Sequence, residues 1–77
     1  MEQKLKKIMA DIFMVQVGEI TEGSSMDNLE EWDSLNHIQL ITSIEEEFKI
    51  LLKEEEIVNM ISIANIKDVL RKKGIKL

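Results

Sequence analysis

Asp33, Ser34 and His37 place an acid, a hydroxyl and an imidazole within one short stretch, and they are the side chains in this sequence whose types and spacing could do chemistry. A hydrolytic triad is the first chemistry to weigh. It needs the histidine between serine and acid, together with an oxyanion hole and a substrate pocket. Here the three residues lie on adjacent turns of one segment, and no Gly-x-Ser-x-Gly elbow is present. Helical phase also points His37 inward, so the triad is rejected and a packed histidine that hydrogen-bonds the preceding loop is expected. Ser34 suits a different chemistry. A polar loop ends at Asp33, a strong helix-capping residue type, and an apolar periodic segment begins at once. Ser34 therefore falls at a helix N-terminus, where unpaired backbone N–H groups and the positive end of the macrodipole favour an attached anion such as a phosphate.

The segment that must position this hydroxyl is a helix expected over residues 34–48. At about 100° per residue, His37, Leu40, Ile41, Ile44 and Phe48 share one sector, the core face. Leu35 and Ile38 point the other way, and an exposed apolar pair beside a candidate attachment point suggests a docking patch. Glu45 and Glu46 flank the same exposed side.

Upstream, Leu5, Ile8, Met9, Ile12 and Phe13 form one apolar helix face opposite Lys4, Lys6, Lys7 and Asp11, with Gly18 as the expected stop. Residues 18–33 lose periodicity, and a connection of that length must pack or function. Ile20, Met26, Leu29 and Trp32 are spaced to anchor it as an ordered crossover. A calcium loop is rejected, because Leu29 stands where a ligand two residues after Asp27 is required.

Downstream, residues 50–52 turn the chain. Residues 53–61 read as a short helix led by Glu54, Glu55 and Glu56, with Ile57, Met60 and Ile61 facing inward. Ser62 caps a last helix that carries Ile63, Ile66, Val69 and Leu70 on one face and has Gly74 beyond its end. The expected fold is all-α: a small four-helix bundle of three longer helices and a short third one, with a long loop between the first two. Residues 1–77 read as a single domain.

Composition narrows the function classes. The sequence contains no cysteine and one histidine, which excludes disulfides, thiolate chemistry and metal sites built on several imidazoles. No metal site is expected. The net charge of −5 is unevenly spread, since residues 19–56 hold twelve carboxylates against Lys49 and Lys53. An acidic middle repels nucleic acid and attracts basic protein surfaces. No membrane span or signal-peptide pattern is read, and a cytoplasmic monomer is expected.

Asp33-Ser34-Leu35, followed by Ile38, Leu40, Ile41, Ile44 and Glu45-Glu46-Glu47-Phe48, resembles the core of acyl carrier proteins. The likeness extends over the whole chain, through the amphipathic first helix, the long loop, the acid-led short helix and the last helix near Ser62. It implies that Ser34 receives the 4′-phosphopantetheine arm of coenzyme A from a phosphopantetheinyl transferase, and that Asp33 caps the helix and presents the serine to that enzyme. The thiol of the arm then carries an acyl group as a thioester, and the protein itself is not an enzyme. The resemblance also implies partners that load and process acyl groups through basic docking surfaces meeting Leu35, Ile38, Glu45 and Glu46. Leu40, Ile44, Ile57, Met60 and Ile61 line a seam that either parts to shelter the acyl chain or is plain core packing.

One departure matters. Carriers of bulk fatty acid synthesis have acidic residues in the first turns of this helix, where this chain has Asn36, His37 and Gln39. A carrier dedicated to a specialised lipid, polyketide or polysaccharide pathway is therefore expected. The alternatives are an aminoacyl or peptidyl carrier of the D-alanyl type, which shares fold and arm, and an unmodified helical adaptor.

Overall fold

The computed structural model describes residues 2–76. Among the described residues there are four helices, α1 (Glu2–Phe13), α2 (Ser34–Phe48), α3 (Glu54–Asn59) and α4 (Ile63–Lys72), with a 3₁₀ turn at Val17–Glu19 inside the first connection. Among the described residues the only strand-like pairing is an isolated antiparallel bridge between Ser25 and Ser62. The all-α expectation therefore holds.

Each helix begins and ends for a local reason. The side chains of Asp33 and Ser62 accept hydrogen bonds from the N–H groups of Asn36 and Asn65, capping α2 and α4. At the start of α3 the Glu56 carboxylate reaches back to the Lys53 N–H at 2.8 Å. Helix α1 stops at Phe13, earlier than the expected stop at Gly18. Met14 takes the left-handed conformation there, with φ of 58°, and Val15 N–H closes the turn on the Ala10 carbonyl. Gly18 instead sits inside the 3₁₀ turn.

The short helix is shorter than expected, because Met60 leaves helical geometry as its cap. That break redirects Ile61, which was expected to face inward and is instead 45% exposed. Its carbonyl accepts from the Met26 N–H at 2.9 Å, and the Ile63 N–H donates to the Ser24 carbonyl at 3.0 Å. The long loop is thus zipped to the joint between α3 and α4, and Ile20 and Trp32 are buried as its anchors. Met26 and Leu29 are half-buried against the core.

The core gathers Leu5, Met9 and Phe13 of α1, Leu40, Ile41, Ile44 and Phe48 of α2, Met60, and Ile63, Ile66 and Leu70 of α4. On α4 the apolar stripe includes a cation. Lys67 is 4% exposed, and its Nζ meets Glu22 at 2.5 and 2.6 Å and Glu2 at 2.9 Å, tying α4 to the loop and to the start of α1. A buried ammonium is tolerated only when paired in this way.

These ion pairs make stability depend on pH with a definite sign. The hydrogen bond from Lys67 holds the Glu22 carboxyl below its usual range. The Lys53 N–H, and then Lys73, do the same for Glu56. Burial works against charge on Lys67, but its bonds to Glu22 and Glu2 outweigh it and raise its pKa. A depressed carboxyl contributes stability that is complete above its unfolded pKa and lost as pH falls through the folded one, whereas the Lys67 contribution is lost only in strong alkali. The thermal midpoint, followed by circular dichroism, is therefore expected to drop below about pH 4. The acid limb should be shallower in Glu22→Gln, from a lower neutral-pH start. Limbs of equal depth in the two proteins would contradict this account.

Candidate functional site

Seven side chains in this sequence carry an aliphatic hydroxyl, and their surroundings differ. Ser24 is buried and accepts from the Thr21 N–H at 2.9 Å, while the Thr21 hydroxyl accepts from the Gly23 N–H. Ser25 accepts from the Asp27 N–H, Thr42 donates to the Ile38 carbonyl at 3.0 Å, and Ser62 caps α4. Ser43 is half-buried in the middle of α2. Ser34 alone combines an exposed side chain with the first position of a long helix.

The local sequence explains that placement. Asp33 has an extended backbone, φ −103° and ψ −177°, and its Oδ1 accepts from the Asn36 N–H at 2.9 Å. The amides of Ser34 and Leu35, in the first turn, have no intrahelical acceptor. Asn36 braces the approach by donating its side-chain amide to the Glu31 carbonyl at 2.8 Å. Replacing Asp33 by Ala is expected to cost about 1 kcal/mol of stability, read as a lower denaturant midpoint. Asp33→Asn keeps an acceptor and should stay close to the original protein. Equal losses in the two variants would show that the cap bond is not what matters.

One turn below, His37 is buried and both ring nitrogens are engaged away from Ser34. Trp32 Nε1 donates to Nδ1 at 3.0 Å, and Nε2 meets the Ile57 carbonyl at 2.9 Å. The Trp32 ring, 2% exposed, also lies against Phe13 with centroids 5.4 Å apart. His37 is therefore a packed histidine bonded to the loop, as expected. It has no free nitrogen with which to act as a base on Ser34.

The other candidate residues divide. Leu35 and Ile38 are 66% and 62% exposed on the outer side of α2. Glu46 is exposed, but Glu45 is half-buried and its Oε2 accepts from the Leu52 N–H at 2.8 Å, so that carboxylate holds the turn into α3. Leu40, Ile44 and Met60 are wholly buried, Ile57 is half-buried, and Ile61 lies outside the seam they form. A surface groove of about 880 Å³ runs elsewhere, along α1 past Val17, Gly18 and Glu47.

Sequence reading missed the Ile57 carbonyl as a partner of His37, the inward turn of Glu45, and Lys67. A signal for Lys67 was present. It falls one turn after Ile63 and one before Leu70, inside the apolar stripe of α4.

The site is thus one uncommitted hydroxyl at a capped helix start, with the nearest imidazole occupied. Comparison with known proteins supplies the family. Residues 3–70 match the family model described as "Phosphopantetheine attachment site". The chain is 37% identical over 71 residues to an acyl carrier protein of Buchnera aphidicola subsp. Baizongia pistaciae, an alignment covering 92% of this chain and 91% of the relative. It is 34% identical over 76 residues to the acyl carrier protein of Buchnera aphidicola subsp. Schizaphis graminum, covering 97% and 95%. The chain belongs to the acyl carrier protein family, whose members are carriers and not enzymes and hold 4′-phosphopantetheine covalently. The family implies a phosphopantetheinyl transferase and acyl-handling enzymes as partners. Among the described residues no helix is long and apolar enough to cross a membrane.

Proposed function

We propose that residues 1–77 act as one cytoplasmic, monomeric carrier domain that bears the phosphopantetheine arm on Ser34. The observation that supports this most is the exposed Ser34 hydroxyl beside the Asp33 cap at the first position of α2. The residues fit the group. The hydroxyl is free to become the ester oxygen of a phosphodiester, and the unpaired amides and dipole at the helix start favour the phosphate charge. Once attached, the arm supplies a terminal thiol that holds an acyl group as a thioester. Asp33 keeps the first turn of α2 formed, so the serine is presented to the transferase on a rigid helix.

Leu35, Ile38 and Glu46 form the face offered to partners. Glu45 contributes its charge there while its carboxylate stays bonded to Leu52. Intact mass after coexpression with a promiscuous phosphopantetheinyl transferase tests the attachment. A gain of one arm, located by fragmentation to the peptide containing Ser34, is expected, and an unmodified chain would leave the adaptor alternative standing.

The pathway is a specialised one in this reading. Asn36 and His37 are spent on internal hydrogen bonds, so the first turns of α2 offer apolar Leu35 and Ile38 where an acidic first turn would offer charge. Enzymes that read such an acidic turn are expected to dock poorly. If bulk fatty acid synthase enzymes loaded and elongated chains on it as fast as on their own carrier, this dedicated role would be wrong.

A further inference from the structure

The hydrogen bonds of His37 determine its tautomer and join three elements. An indole N–H can only donate, so Nδ1 of His37, facing Trp32 Nε1 at 3.0 Å, must be the bare accepting nitrogen. Nε2 therefore carries the proton and donates to the Ile57 carbonyl at 2.9 Å. One ring thus links the end of the long loop, the first turns of α2 and the middle of α3, one turn below Ser34. The far end of the short helix is held by the bond from Met26 N–H to the Ile61 carbonyl. Beneath these ties Leu40, Ile44 and Met60 are each 0% exposed.

We propose that His37 is a positioning residue that keeps the seam between α2 and α3 shut, so that cargo rides outside the bundle and this carrier takes short or polar acyl groups. The proposal rests on Ser34 bearing the arm. For a chain to enter the seam, α3 must leave α2, which breaks the part-buried bond between the Nε2–H and the Ile57 carbonyl and sets an apolar chain where each would need a new partner, at a higher cost than breaking an exposed bond. Entry also separates Leu40, Ile44 and Met60, which already pack against one another, so an entering chain exchanges core contacts for its own, and a polar cargo or one as short as octanoyl gains too little apolar burial to offset both costs. Apolar surface for a cargo riding outside is present on the same two helices, at Leu35, Ile38 and Val58.

The test uses the full chain and its His37→Leu and His37→Gln variants, loaded with butyryl- or octanoyl-phosphopantetheine by a promiscuous transferase from the corresponding acyl-coenzyme A. Intact mass confirms loading first, so an unloaded chain refutes the attachment reading and is not confused with failure of this one. Two readouts follow. One is the methyl spectrum of Leu40, Ile44 and Met60. The other is cleavage by hydroxylamine, whose nitrogen attacks the thioester carbonyl to give a hydroxamate and the free thiol.

In the original protein the core methyls should not move with cargo length, and butyryl and octanoyl should be cleaved at rates within about twofold. In His37→Leu the octanoyl thioester should be cleaved about tenfold more slowly, the factor expected when bonds of this kind no longer oppose entry. Gln offers both an acceptor and a donor and should restore the original behaviour. Core methyls that shift with octanoyl loading of the original protein, together with slowed cleavage, would overturn the proposal. So would a folded His37→Leu that behaves like the original. If that variant does not fold, the original protein alone still decides.

Discussion

Ser34→Ala is expected to abolish phosphopantetheine attachment completely while leaving the fold as it is. Ser34 is exposed, and its side chain is not part of the cap, which runs from Asp33 to the Asn36 N–H. Alanine is the strongest helix former, and an exposed substitution of this kind changes stability by about 0.5 kcal/mol or less. Loss of modification can therefore be separated from loss of structure. Circular dichroism and the thermal midpoint should match the original protein, while intact mass after coexpression with the transferase should show no added group. The other hydroxyls offer no substitute, because Thr21, Ser24, Ser25 and Thr42 are held by the loop and by α2, Ser43 is half-buried in the middle of α2, and Ser62 is committed to the α4 cap. A mass gain in Ser34→Ala would move the attachment point elsewhere, and the proposed cargo geometry at the top of α2 would fall with it.

The distinction between what could be read from the sequence and what could not follows the range of the interactions. Helical phase is local, so the core face of α2, the exposure of Leu35 and Ile38, and the inward turn of His37 were all legible from the order of residues. Caps are local too, and Asp33 and Ser62 do what their types favour. The end of α1 was misjudged because glycine is only the commonest residue in a left-handed stop. Met14 accepts that conformation where the chain must turn, although it is 90% exposed. The partners of buried polar groups were illegible for a different reason. His37 finds the Ile57 carbonyl twenty positions away, and Lys67 finds Glu22 forty-five positions away. No periodicity encodes such a pairing, and it exists only once the loop has been zipped to the joint before α4. Glu45 shows the same effect at shorter range. Its phase gave the correct side of the helix, but the unpaired Leu52 N–H then drew its carboxylate inward.

Trp32→Ala is the substitution expected to damage the fold most, and comparison with Trp32→Phe divides the loss into two causes. Removing a buried indole typically costs about 3–5 kcal/mol through lost packing and the cavity left behind. It also strips the donor from His37 Nδ1, and a buried acceptor left unpaired adds about 1–3 kcal/mol. A chain of this size has about 4–12 kcal/mol of total stability at the usual stability per residue. Trp32→Ala should therefore populate unfolded chains substantially even in buffer, with a broad thermal transition starting near room temperature. Phenylalanine keeps a ring to pack on Phe13, whose centroid lies 5.4 Å from that of Trp32, but supplies no N–H. Its cost should accordingly be close to the hydrogen-bond part alone, with a smaller drop in denaturant midpoint. Coupling with His37 then distinguishes a bond from mere proximity. In a double-mutant cycle, adding Trp32→Phe to His37→Leu should cost less than in the original protein, because the acceptor that the indole satisfied is already gone. Additive losses would mean that Trp32 acts only by filling space. In that case the loop would be anchored by packing, and His37 would hold α3 without help from the indole.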